Sequence, residues 1–341
     1  MSLASSQIDS PAREPVLDLI MNPIVGVGEV LWDIYPDGRK VAGGAPFNFA
    51  FHCHQLGHAA AIVSRVGNDD LGRELRARVQ ELGLSDEHIQ TDKRLPTGTV
   101  RVSVDKAGQP TYTIDTSAAW GNLEWTPALA DLTRDAVALC HGTLALNGGK
   151  ASRQVIDKMA LRVHQHKGLT IYDVNLRGKS ADSPDERAVF WSRWLKVNDD
   201  ELGALMNRVG ASIDDGVSVD SVQEMLDWLK ADTKRDDTVL IVTRGSAGAE
   251  VFTHGSHHRE RAPHATVIDT VGAGDSFTAA MVCLHLEGRP LSECLRFANH
   301  YAARVCEHQG ATPHIDRNEV EVGHRNLRAN YPGSPGRSIP R

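Results

Sequence analysis

Short β-rich runs alternate with helical runs through most of this 341-residue chain, and that order leaves few architectures open. Ile24–Val27 reads as a strand, residues 46–56 as a helix and residues 61–66 as the next strand. Leu71, Leu75, Val79 and Leu82 then mark a helix that Gly83 closes. Further strands are predicted at residues 136–140, 169–173, 194–197 and 239–242, each followed by a polar turn and a helical stretch. Such alternation argues for an α/β fold with a mostly parallel sheet and helices on both faces. Ligands in that class sit beyond the carboxyl ends of the strands, where Asp173, Asn198 and Thr243 fall.

Two segments interrupt the alternation. Residues 31–42 contain the turn Pro36-Asp37-Gly38, and residues 97–115 alternate as Val100, Val102 and Val104, turn at Lys106-Ala107-Gly108, and resume through Tyr112 and Ile114. They read either as a small β lid over a substrate site or as a plain hairpin decoration. The domain is expected over residues 21–320, with a disordered tail at 1–20 and a second tail at 321–341.

Two glycine-rich segments carry chemistry. In Ile268-Asp269-Thr270-Val271-Gly272-Ala273-Gly274-Asp275, small residues and an acid stand directly before a helical pattern formed by Phe277, Ala280, Met281 and Leu284. Backbone amides of Gly272, Ala273 and Gly274 can converge on an anion at the positive end of that helix. Asp275, in the first turn, can take a proton from a hydroxyl while the amides hold a phosphoryl group. An ordinary loop with a helix cap is the competing reading. The second segment is Gly43-Gly44-Ala45-Pro46-Phe47-Asn48-Phe49-Ala50, with Pro46 placed as a first helical residue and Gly57 as a C-terminal cap. Asn48 is either a polyol ligand or a solvated helix residue.

Together the pair GG-x-x-x-N-x-A and DTxGAGD, in this order, resembles the signatures of the ribokinase-like carbohydrate kinases, also called the PfkB family. The resemblance runs from about Ile24 to about Ile315 and implies an ATP-dependent sugar kinase. It implies that Asp33, at the end of what looks like the first strand, holds sugar hydroxyls together with Gly44 and Asn48. Arg177 of Asp173-Val174-Asn175-Leu176-Arg177 would serve phosphate or substrate, a surface salt bridge being the alternative. By the same resemblance Asn198 lies near the ATP phosphates and Glu201 organises magnesium through water. Thr243 and Gly245 line the nucleotide, and Phe297-Ala298-Asn299 forms the adenine wall. Asp269 and the carbonyl of Val271, with the loop around Gly310, resemble a monovalent-cation site for potassium. Family members often dimerise through the lid.

Composition excludes several other classes. The net charge of −7 and the lack of a basic stripe argue against a nucleic-acid partner. The longest apolar stretch, residues 277–286, falls short of the roughly 20 residues a membrane span requires. Residues 1–15 lack an apolar core of the secretory kind, and the five cysteines show no CxxC pair, so reduced thiols in a cytoplasmic enzyme are expected. Gly26-Val27-Gly28 suggests a dinucleotide fingerprint, but Leu31 stands at its third glycine position. His254, His257 and His258 lie in a Gly/Ser-rich turn and read as a surface hairpin.

The expected function is transfer of the γ-phosphoryl group of ATP to a primary hydroxyl, with Asp275 as base. The order GExLxD, GGAPxNxA, G-Q-P-x-x-x-I and D-x-N-L-R resembles bacterial fructokinases, and ribokinases typically carry lysine where Ala45 stands. Fructose is therefore the favoured substrate. Ribose, a nucleoside or 2-keto-3-deoxygluconate are alternatives, and a non-catalytic sugar- or nucleotide-binding regulator is the alternative of another class.

Overall fold

The computed structural model describes residues 21–104, 110–115, 117–176, 183–211 and 218–321. Arg177, the turn at residues 106–108, the tail at 1–20 and residues 322–341 of the second tail lie outside the described residues.

In chain order the strands are β1 (Ile24–Val27), β2 (Leu31–Ile34), β3 (Lys40–Gly43), β4 (Ala60–Gly67), β5 (Ile89–Asp92), β6 (Gly98–Val104), β7 (Pro110–Ile114), β8 (Ala138–Gly142), β9 (Leu169–Asp173), β10 (Trp194–Asn198), β11 (Val239–Thr243), β12 (Ala249–Thr253) and β13 (Ser256–Glu260). Nine of them form one sheet in the order β13-β12-β11-β10-β9-β8-β1-β4-β5. Every neighbour from β11 to β5 pairs parallel, and β12 and β13 add an antiparallel edge. The expected hairpin is β12–β13, with His254 in its turn and His257 and His258 on β13 rather than in the turn.

Because side chains alternate faces along a strand, each central strand feeds two cores. Val25, Leu139, Tyr172, Leu195 and Leu240 pack on one face, and Ile24, Cys140, Ile171, Trp194 and Ile241 on the other. The helices are α1 (Ala45–Gln55), α2 (Asp70–Glu81), α3 (Pro127–Asp135), α4 (Thr143–Asn147), α5 (Lys150–Gln165), α6 (Glu186–Trp191), α7 (Asp199–Arg208), α8 (Val219–Thr233), α9 (Ala273–Leu286) and α10 (Leu291–Cys306). Helices α1, α9 and α10 cover the face of Ile24, while α5, α7 and α8 cover the other.

Two predicted boundaries need correction. The first strand does not run on to Asp33: β1 ends at Val27, and Asp33 belongs to β2, in a different sheet. The predicted strand at 136–140 starts later, at Ala138, because the Ala136 amide donates to Leu132 O at 3.0 Å and closes α3.

The second sheet has four strands in the order β3-β2-β6-β7. A hairpin decoration would be antiparallel throughout, yet β2 and β6 pair in parallel, so the two interrupting segments build one separate layer. That layer is the small second sheet expected as a lid. Trp32 and Ile34 on one of its faces pack toward α1 and α2, and Leu31 and Asp33 on the other face a cavity. Among the described residues no helix is long and apolar enough to cross a membrane.

Candidate active site

Two cavities lie at the carboxyl ends of the parallel strands. The first, of about 560 Å³, opens between the lid sheet and the body and is lined by Asp33, Gly44, Asn48, Asn198, Glu201, Val271, Gly272, Gly274 and Asp275, among others. The second, of about 640 Å³, is lined by Thr243, Gly245, Gly248, Val267, Phe277, Asn299 and Ala302, among others. Thr243, Thr270 and Gly274 border both, so the two cavities meet at the start of α9.

Local sequence explains how that start is built. Gly272 is the N-cap of α9 in a left-handed conformation, φ 79, which only glycine adopts without cost. A side chain there would also collide, since a Cβ would lie 2.6 Å from that of Ala311. The first i→i−4 bond of α9 runs from Ser276 N–H to Gly272 O at 2.9 Å, so the Gly274 amide before it is not engaged by the helix. The Ala273 amide donates to Thr270 O at 3.3 Å, so of the expected cradle this one amide is tied into the turn. Asp275 follows in the first turn, at the positive end of the helix.

Helix α1 supplies the opposite wall. Gly44 caps it at φ 123, where a Cβ would lie 2.2 Å from Glu29 O, and Pro46 follows in the first turn. Asn48 is not solvated: it is 4% exposed, and its Nδ2 donates to Asp275 Oδ2 at 2.8 Å. Its Oδ1 is buried and has no hydrogen-bond partner within the chain among the described residues. One turn further, His52 Nε2 lies 2.9 Å from Ala311 O and Nδ1 lies 3.0 Å from Tyr301 Oη. Burial pushes His52 down to about 4, against the raising effect of the Ala311 bond, so the ring is neutral near pH 7.

The lid contributes Asp33, whose Oδ2 would lie 3.0 Å from a Cβ placed on Gly43 of the adjacent strand. Asn198 and Glu201 form a capping box at α7. Asn198 Oδ1 accepts from Glu201 N–H at 2.8 Å, and Glu201 Oε2 accepts from Asn198 N–H at 2.9 Å. Glu201 Oε1 accepts from Leu176 N–H at 2.7 Å. Asp269 spans two loops: Oδ1 accepts from Val271 N–H at 3.0 Å and Oδ2 from Gly310 N–H at 2.9 Å. Val271 borders the first cavity, and Asp269 and Gly310 stand behind it.

The adenine wall expected from Phe297-Ala298-Asn299 is corrected in two of its three residues. Phe297 and Ala298 are buried in the core, at 1% and 0% exposure, whereas Asn299, Ala302, Ala303 and Cys306, on the other face of α10, border the second cavity. Asn299 Nδ2 donates to Glu260 O at 3.3 Å.

Sequence reasoning missed Lys196. It lies on β10 between Leu195 and Val197, is 6% exposed, and reaches the first cavity with Nζ 3.1 Å from Asp173 Oδ1. A lysine inside a buried strand needs a partner, so its place in Trp194-Leu195-Lys196-Val197 was a usable signal. Burial alone would lower its pKa, but the charges of Asp173, Asp275 and Glu201 outweigh that and raise it, so it is an ammonium. Glu29, 4% exposed at the cavity wall with Oε1 accepting from Ala45 N–H at 3.2 Å, was missed as well.

Comparison with known proteins bears on this geometry. The family model for pfkB family carbohydrate kinases matches residues 15–318. The protein named "Probable fructokinase-3" of Arabidopsis thaliana is 30% identical over 317 residues, covering 85% of this chain and 87% of its own. Among solved structures, a fructokinase of Xylella fastidiosa with bound ATP superposes with a TM-score of 0.76 at 20% identity, covering 90% of this chain and 99% of its own. A ribokinase of Arabidopsis thaliana complexed with ribose and ATP gives 0.75 at 23% identity, covering 89% and 99%. At those identities the structures speak for the ribokinase-like fold.

Proposed function

The chain belongs to the pfkB family of carbohydrate kinases, and on that footing we propose that it moves the γ-phosphoryl group of ATP onto a primary hydroxyl of fructose. The observation that carries the reading is the position of Asp275. It stands at the start of α9, where a polar cavity under the lid meets a second, more apolar cavity, and its carboxylate is oriented by Asn48 at 2.8 Å. Sugar occupies the first cavity and nucleotide the second, and the phosphoryl group passes between them beside Gly274.

Asp33, Gly44 and Asn48 hold the sugar, with Asn48 Oδ1 as an acceptor for one hydroxyl. Asp275 orients the acceptor hydroxyl and takes its proton late, as the loose transition state collapses. The amides at the start of α9 stabilise charge on the transferring group. Thr243, Gly245 and Asn299 border the nucleotide, and the lid closes over the sugar to exclude water.

Magnesium fits this site as a hydrated ion. Both oxygens of Glu201 accept backbone N–H bonds, yet each keeps a lone pair that a metal-bound water can use, and magnesium retains several waters in such sites. When bound, it neutralises charge on the β- and γ-phosphates. We assign potassium to the loops that Asp269 joins, with Asp269, the Val271 carbonyl and the loop around Gly310 as its surroundings.

Fructose rests on the fructokinase name of the relative at 30% identity and on the motif order in the chain. Five free thiols, four of them buried, support a reducing, cytoplasmic setting. The lid sheet ends in β3 and β7, and a homodimer contact there would cover those edges. The deciding experiment is coupled ADP release against fructose, ribose, adenosine, tagatose, 2-keto-3-deoxygluconate and fructose 6-phosphate. Turnover with fructose above the others supports the reading. A different winner changes the substrate, and no turnover with any acceptor replaces the kinase by a binding protein.

A further inference from the structure

The chain has no P-loop, so no lysine of that motif holds the phosphates, yet one buried ammonium lines the first cavity beside Gly274, which borders both cavities. Lys196 Nζ makes its one hydrogen bond among the described residues to Asp173 Oδ1, at 3.1 Å, and an ammonium has three donors. A Cβ placed on Gly274 would lie only 3.0 Å from that nitrogen. Gly274 thus leaves open the space between the ammonium and the start of α9, where the anion is expected.

Charge balance adds weight. Asp173, Asp275 and Glu201 all act on Lys196, so among the described residues this ammonium faces three carboxylates. Incoming nucleotide brings further negative charge to this spot. A buried ion pair is seldom worth its desolvation for stability alone, since apolar residues of similar volume do as well. A desolvated ammonium beside a helix start is, however, well suited to a phosphoryl group whose charge develops during transfer. Asp173 is itself fixed: Thr278 Oγ1 lies 3.2 Å from its Oδ2 and 2.9 Å from Gly274 O, which ties β9 to the first turn of α9.

We propose that Lys196 is a catalytic residue whose ammonium contacts the γ-phosphoryl group as it moves from ATP to the acceptor, with Asp173 as the positioning residue that holds the ammonium beside Gly274. This rests on the kinase reading above. In the step, the bond between the γ-phosphorus and the β–γ bridging oxygen breaks, and a bond from that phosphorus to the acceptor oxygen forms. The hydroxyl proton passes to Asp275 and ADP leaves. Lys196 stays protonated throughout and exchanges no proton.

The test compares wild type with Lys196→Met and with the double variant Lys196→Met/Asp173→Asn, which removes both buried charges and so avoids stranding a carboxylate. Each is checked for folding by circular dichroism and thermal midpoint. Binding of ADP and of the non-hydrolysable analogue adenylyl imidodiphosphate, both with magnesium, is measured by calorimetry without sugar. Loss of a γ-phosphoryl contact weakens the analogue at least about tenfold and leaves ADP within about twofold. In turnover, kcat falls about 10²-fold or more while KM for sugar changes little. A folded double variant that keeps both the wild-type ratio of analogue to ADP affinity and kcat within about threefold overturns the proposal. If wild type turns over no sugar, the kinase reading fails, and the two affinities still decide whether Lys196 touches the terminal phosphate.

Discussion

Asn48 donates to Asp275 across a sequence separation of 227, Nδ2 to Oδ2 at 2.8 Å, and that bond joins the two glycine-rich segments into one site. It uses the amide's donor end on the carboxylate and leaves the buried acceptor end with no hydrogen-bond partner among the described residues. Asn48 therefore has two partners in the proposed mechanism, the base and the substrate.

For the base, Asp275→Asn is expected to lower kcat by about 10²-fold or more with little change in KM for sugar, since general-base groups contribute roughly 10² to 10⁴. Steady-state kinetics with fructose measures this. A variant with near-normal kcat removes Asp275 from the mechanism.

Substrate choice is predicted at Asp33. A carboxylate under the lid can accept from two adjacent hydroxyls, and a site built on polar partners rejects an analogue that leaves them unpaired. The kcat/KM for fructose should exceed that for ribose and adenosine by at least about tenfold. Asp33→Ala should raise KM for sugar far more than KM for ATP. Equal effects on both constants would take Asp33 out of the sugar site.

Potassium should raise kcat relative to tetramethylammonium at equal ionic strength. Asp269→Ala, which cuts the ties to Val271 and Gly310, should abolish the difference. Identical rates in the two salts would mean that those hydrogen bonds hold the loops unaided.

Stability should fall as pH drops from about 6.5 toward 4. His52 and His141 are buried, and burial pushes each down to about 4 in the folded chain, against about 6.5 when unfolded. Above 6.5 neither state protonates them, so the fold carries no penalty. Below it the unfolded chain binds protons that the folded one refuses, until the folded pKa is passed. Each ring contributes a slope of at most about 1.4 kcal/mol per pH unit. Urea midpoints at pH 7.5 and 5 should therefore differ less in His141→Gln than in wild type, and an unchanged difference would exclude His141 as a source.

Much of this fold is legible in the chain because parallel strands buried on both faces read as continuous apolar runs, as in β11, and need no knowledge of their neighbours. What escapes is set by tertiary contact. The run from Ile24 to Asp33 looks like one strand, yet residues 28–30 leave strand conformation, and only pairing with β3 and β6 assigns Leu31–Ile34 to another sheet. Phe297 and Asn299 are two positions apart on α10, so one turns to the core when the other borders the cavity. The Asn-x-x-Glu segment also satisfies a helix start, which explains why its side chains bond backbone amides. Lys196 was legible as an anomaly in an apolar strand, but its partners, Asp173 and the start of α9, come from distant parts of the chain.

Helix α1 also sets a distance. Asn48 in its first turns meets Asp275 at the first cavity, while His52 and Gln55 grip Tyr301, Ala311 and Pro313 behind the turn that borders both cavities. Eleven residues of one helix thus act as a rail between Asn48, the proposed anchor of the acceptor, and the contacts behind the start of α9. A slip of α1 by a single residue, about 1.5 Å along its axis, would move Asn48 and His52 together, so in the proposed transfer the reach of the phosphoryl group is gauged by rigid helix rather than by the two loops it crosses.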